Sequence, residues 1–300
     1  MTDSSGSPPA FRLPPPGGQQ PHITDSHVHL LPERLAAKIR KFFVDRGSPQ
    51  LLYPYEREAA LGELRRAGIA RCWSLPYAHR GGVASGLNRW MAETFAGDPF
   101  VVPGATVHPE DDVEAVVREA IEELELPVFK LHCSVGKFAP DDRRLDPLWR
   151  RVSDTGRPTV VHTGSAPEGT ATEEEVRAVG RTAGRFPSAR IIVAHFGAPA
   201  VAATLDLLRR TEHVYADLCP VVADPVELTR DAIAGLERRI LFGSDTPTVA
   251  VSIEDSLERV RAWGLPAQEE AAVLGGTAED LLDAARPSAN PPAVSERTRA

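Results

Sequence analysis

Cysteine is scarce in this chain: Cys72, Cys133 and Cys219 are the only three among 300 residues, and none is spaced as a pair. That excludes a disulfide framework and reads as reduced thiols in a cytoplasmic protein, small fillers of apolar surroundings with no redox role. Long apolar runs are missing as well, so no stretch is suited to crossing a bilayer. Basic residues do not cluster, and a net charge of −8 argues against nucleic acid as a principal partner. The glycine fingerprint of a dinucleotide-binding sheet is absent after the first strand candidate.

Residues 1–21 consist largely of Ser, Pro, Gly and Gln, without a basic start followed by an apolar core. They are expected to be a disordered tail and not a signal peptide. Residues 286–300 have the same character. One folded domain is expected between, over residues 22–285, and the 42% apolar content of the chain suffices for a large core.

Short apolar runs recur through that body, at 23–31, 69–75, 100–107, 127–133, 158–164, 189–196, 214–218 and 240–245. Segments with helical spacing separate them, at 33–46, 55–67, 83–96, 110–125, 145–154, 173–186, 199–210 and 225–236, with two more at 253–263 and 268–282. Strand and helix alternate at a repeat of roughly thirty residues, which implies a parallel sheet covered by helices. Eight such units predict a closed (β/α)8 TIM barrel in preference to an open doubly wound sheet.

Chemistry in a barrel collects where the strands end. The run Ile-Leu-Phe-Gly at 240–243 leads to Asp245. His162 follows Pro-Thr-Val-Val, and His195 follows Ile-Ile-Val-Ala. His27 and His29, two residues apart, project from one side of the first strand, where two imidazoles can grip one metal ion. A core histidine with one hydrogen bond accounts for any single case. Four histidines and a carboxylate at equivalent strand ends are better explained by one site.

At these residues the sequence resembles the amidohydrolase superfamily, and within it the amidohydrolase 2 group. The resemblance rests on Asp25-Ser-His-Val-His29, Lys130-Leu-His132, Val161-His-Thr-Gly164, Ala194-His-Phe-Gly197 and Phe242-Gly-Ser-Asp-Thr-Pro247. It extends to a closing helix at 272–281, where Thr277-Ala278 stands in place of the commoner Asn-Ala. The resemblance implies that His27, His29, His162 and Asp245 hold one divalent metal. Zinc is the usual ion, with manganese, iron or a second metal as alternatives. It further implies that His195 orients a metal-activated water and that Asp245 takes its proton and passes it to the leaving group.

In some members of the superfamily a lysine at the end of strand four is carboxylated and bridges two metals. Lys130 stands there, but beside His132 it reads here as a pocket or supporting group. His108 and Tyr77 are substrate-contact candidates, together with the loop residues His79, Arg80, Lys137 and Phe138. Asp217 is expected to orient a ligand histidine. Trp73, Trp90, Trp149 and Trp263 are expected to pack.

The expected function is metal-dependent hydrolysis of an amide, ester or lactone-type bond in a small molecule. Non-oxidative decarboxylation of a small carboxylic acid is the alternative, since relatives of aminocarboxymuconate-semialdehyde decarboxylase share the ligand pattern. A barrel that had lost catalysis would show an eroded ligand set, and every expected ligand type is present here. Neither a nucleic-acid nor a membrane partner is expected, and a homodimer is left open.

Overall fold

The computed structural model describes residues 22–46, 51–163, 173–219 and 228–285. The expected tails lie outside these, as does the start of the helix expected at 225–236. Eight parallel strands run in sequence order: β1 (Thr24–Val28), β2 (Arg71–Ser74), β3 (Val101–Thr106), β4 (Val128–Leu131), β5 (Thr159–Val161), β6 (Ile191–Val193), β7 (Val214–Asp217) and β8 (Ile240–Leu241). Beyond β8 the chain continues alongside β1 in the same direction. Ser26 donates its N–H to Phe242 O at 2.9 Å, Asp245 to His27 O at 2.8 Å, and His29 to Thr246 O at 2.8 Å. These bonds and the parallel bridge between Val28 and Thr246 close the ring. The fold is a TIM barrel.

Alternation along the strands sorts the core into two layers. Val128, Val160, Ile192 and Leu241 form an inner cluster with Trp73 and Leu75. The alternate residues Phe129, Leu131, Val161, Ile191 and Val193 belong to the layer beneath the surrounding helices. The helix Thr277–Ala284 plugs the end where the strands begin, adding Ala278, Leu281 and Leu282 to the inner cluster. Its Glu279 accepts from Thr24 Oγ1 at 2.8 Å and from Arg71 at 2.7 Å, tying the plug to the starts of β1 and β2.

Local sequence sets the helix ends. Asp112 caps Val113–Arg118 by accepting from Ala115 N, and Ser252 caps Ile253–Ala262 by accepting from Asp255 N. Gly156 ends Asp146–Thr155 at φ +68°, a conformation that glycine adopts at little cost. The helix predicted at 110–125 is shorter than its periodicity suggests, because Glu119–Glu123 widens into a π turn. With the lower end plugged, polar side chains gather at the upper one.

Candidate metal centre at the strand ends

Inward-facing residues of β1, β4, β5 and β7 reach the upper mouth as His27, Lys130, His162 and Asp217. The turn after β6 brings His195 there and the turn after β8 brings Asp245. Both turn residues lie in the left-handed region, at φ +56° and φ +61°. Non-glycine residues held there are uncommon and mark a conformation imposed by their surroundings. Gly243 is required by close approach: a Cβ at that position would lie 2.9 Å from His27 Cβ and 3.1 Å from Cys219 Cβ.

Asp217 ties three strands together. Its Oδ2 lies 2.8 Å from His27 Nδ1. Its Oδ1 accepts from His195 N at 2.8 Å and from the Cys219 thiol at 2.8 Å. Burial alone would raise this carboxyl, but the hydrogen-bonded His27 ring, with His195 and Lys130 nearby, holds it below the usual carboxylate range. Asp25 does the same for the backbone, its Oδ1 accepting from His27 N at 3.1 Å and Ser244 N at 3.0 Å. Burial pushes the Asp25 carboxyl up to about 7.

These bonds assign the protons on the imidazoles. His27 Nδ1 donates to the Asp217 carboxylate, and His29 Nδ1 donates to Leu75 O at 2.7 Å. His195 Nδ1 donates to Cys219 O at 3.2 Å, so His195 Nε2 accepts from His162 Nδ1 at 3.0 Å. In the singly protonated form that these bonds select, the Nε2 atoms of His27, His29 and His162 are all lone-pair sites. His162 Nε2 is buried with no partner. His29 Nε2 faces Asp245 Oδ1 at 3.1 Å, and His27 Nε2 faces the same oxygen at 3.8 Å. Lys130 Nζ meets one of these acceptors, 2.9 Å from His27 Nε2, and the facing pair of His29 Nε2 and Asp245 Oδ1 suits a cation between them. The donor atoms of His27, His29 and Asp245 lie within 4.8 Å of one another, and imidazole with carboxylate suits a divalent ion. His162 is not part of that group, and its free Nε2 is its claim to be a ligand.

Electrostatics agree with this assignment. Burial holds His27 down at about 3 and keeps His132, His162 and His195 below the usual imidazole range, so these rings are neutral. Burial would raise Asp245, but the imidazoles of His29, His195 and His27 around it outweigh that and hold the carboxyl below the usual carboxylate range.

Flat rings flank the centre. His132 stacks on His162 with centroids 3.8 Å apart, and Tyr77 lies 4.8 Å from His132 and 5.3 Å from His29. His108 is drawn elsewhere, its Nε2 lying 3.0 Å from Gly136 O and its ring against Phe138. His79, Arg80 and Lys137 are exposed. Trp73 and Trp149 are buried, and Trp90 and Trp263 pack at the core's edge.

Cys72 and Cys133 are buried in the outer layer. Cys219 is more than a filler: its Sγ lies 2.9 Å from His27 Nδ1 and 3.3 Å from His195 Nδ1. The signal was its spacing of two from Asp217, which puts both on one face of an extended chain. Sequence reasoning counted its cysteines and missed that parity.

The profile of the amidohydrolase family matches residues 24–284. No curated protein matches in sequence. Among solved structures, 2,6-dihydroxybenzoate decarboxylase in complex with 2,6-dihydroxybenzoate is 14% identical, with a TM-score of 0.70 over 88% of this chain and 100% of that one. A probable 2-pyrone-4,6-dicarboxylic acid hydrolase from Acinetobacter baumannii is 14% identical, with a TM-score of 0.62 over 87% of this chain and 99% of that one. The 5-carboxyvanillate decarboxylase of Novosphingobium aromaticivorans, in complex with manganese and 4-hydroxy-3-methoxy-5-nitrobenzoic acid, is 15% identical, with a TM-score of 0.63 over 87% of this chain and 94% of that one. Similarity at these identities establishes the common barrel. With a profile that runs from β1 through the closing helix, the chain belongs to the amidohydrolase family.

Proposed function

We propose that the protein is a metal-dependent hydrolase that cleaves an amide, ester or lactone-type bond in a small molecule. The observation that carries this reading is the convergence of two imidazole lone pairs and the Asp245 carboxylate on one point. His27, His29 and Asp245 would hold the ion, with His162 as the further ligand. A divalent metal bound there supplies Lewis acidity and brings the pKa of water toward neutrality.

The chain's own residues do the rest. Asp245 is ionised at neutral pH, sits at the mouth and accepts a proton from the attacking water. It then delivers that proton to the leaving group, which a carboxylate on a fixed turn can do without moving. His162 donates its Nδ1–H to His195 Nε2, and this neutral, hydrogen-bonded pair lines the space in which the attacking water is oriented. Asp217 keeps His27 in the Nδ1–H tautomer. Tyr77 and His132 form one wall of the substrate space.

A second reading, loss of carbon dioxide from a small carboxylic acid, is supported by the run of flat rings Tyr77, His132 and His162, which suits a planar acid. Decarboxylases among the proteins of similar fold point the same way. A panel of lactones, amides and aromatic acids, offered to zinc- and manganese-loaded protein, separates the two. Acid production from a lactone, ester or amide without carbon dioxide supports hydrolysis. Carbon dioxide release from an acid supports the second reading and overturns the first.

A further inference from the structure

Lys130 is the unexpected member of this site. Its side chain is fully buried, and its Nζ lies 2.9 Å from His27 Nε2. Because His27 Nδ1 is committed to Asp217, the ring has one lone pair left, and Lys130 donates into it. That lone pair is the one a metal at His27, His29 and Asp245 requires. One lone pair serves one partner.

We infer that Lys130 is an internal placeholder, whose Nζ occupies the His27 lone pair and must release it when a metal binds. The inference rests on the metal-dependent reading above. One feature favours it over a passive contact: Lys130 joins the hydrogen-bonded set of His27, Asp217 and His195, which spans four strand ends, at the one ring nitrogen of His27 that the set leaves open.

The placeholder sets how tightly the metal is held. A retained contact denies the ion one of its ligands, and swinging the side chain away leaves a buried amine in search of new partners. Either way Lys130 opposes the metal. A neutral side chain of similar length removes that opposition while filling the same space.

The test is calorimetric titration of metal-free wild-type, Lys130→Met and Lys130→Gln proteins with manganese and with zinc. Thermal melts establish that each variant is folded, and Lys130→Gln serves if the methionine variant is not. The expected result is binding at least about tenfold tighter in the variants, the order of one hydrogen bond no longer broken on binding, with the same number of ions per chain. Equal or weaker binding in the folded variants overturns the placeholder role and leaves the metal centre standing. Two ions in the wild type and one in the variants also overturns it, and makes the lysine a bridging ligand. No uptake by any of the three proteins overturns the metal centre itself.

Discussion

Asp217 Oδ2 lies 2.8 Å from His27 Nδ1, and neither side chain is exposed to solvent. This bond fixes which nitrogen of His27 faces the mouth, and the other oxygen of Asp217 fixes the turn that carries His195. The carboxylate therefore acts on the centre through its neighbours.

Replacing Asp217 with Asn keeps the shape and removes the charge. The amide also turns an NH2 group toward existing donors, either His27 Nδ1 or the His195 N–H and Cys219 thiol. Metal affinity is expected to fall by roughly 10–100-fold, the usual effect of losing an outer partner of a ligand histidine. Metal titration of folded Asp217→Asn protein measures it. Unchanged affinity would show that His27 needs no orienting partner.

Asp245→Asn addresses the proton carrier. Folding is expected to persist, since the Asp245 N–H bond to His27 O is a main-chain contact. Turnover is expected to drop by roughly 10²–10⁴-fold, the range for losing a positioned acid–base group. Full activity in this variant would remove Asp245 from the mechanism.

His27→Ala and His29→Ala each remove one converging lone pair. Bound metal per chain is expected to fall in both variants, as read by elemental analysis after gel filtration. Retention of wild-type metal content by both would strike them from the ligand set.

Much of this architecture was legible in the sequence, because strand ends of a closed barrel converge whatever their separation along the chain. The alternation of apolar runs and helices located all eight strands, and period-two spacing put His27 and His29 on one side. Contacts across the barrel were not legible. Nothing in Lys130-Leu-His132 says that Nζ meets His27, since that depends on how deeply each strand is set in the ring. The last strand, Ile240–Leu241, is shorter than its apolar run at 240–245 predicts. After Leu241 the backbone leaves the β7 ladder to bond with β1, and Asp245 adopts a left-handed turn that no apolar pattern encodes. His108 follows its strand as the other site residues do, yet the nearby Gly136 carbonyl draws it away.

Acid should destabilise the metal-free protein. Burial lowers His27 to about 3 and lowers His132, His162 and His195 in the same direction. Unfolded imidazoles titrate near pH ~6.5, so below that value the unfolded state binds more protons than the folded one. Each histidine thus contributes stability that is present above pH ~6.5 and lost as pH falls, by up to about 1.4 kcal/mol per pH unit. Asp25, raised from 3.8 to about 7, has the opposite sign: its contribution is full below 3.8 and is lost as pH rises toward 7. One carboxyl against four imidazoles leaves the net sign with the histidines. Tm of metal-free protein is expected to fall between pH 7 and pH 5, and a flat or rising Tm would contradict the neutral, buried assignment of these rings.

Metal content per chain, measured by elemental analysis on protein purified without chelators or affinity metal, bears most directly on the central claim. About one divalent ion per chain is the expected result, held by His27, His29 and Asp245 with His162 as the further ligand. Protein that carries no ion, and takes up none when zinc or manganese is added, would contradict it.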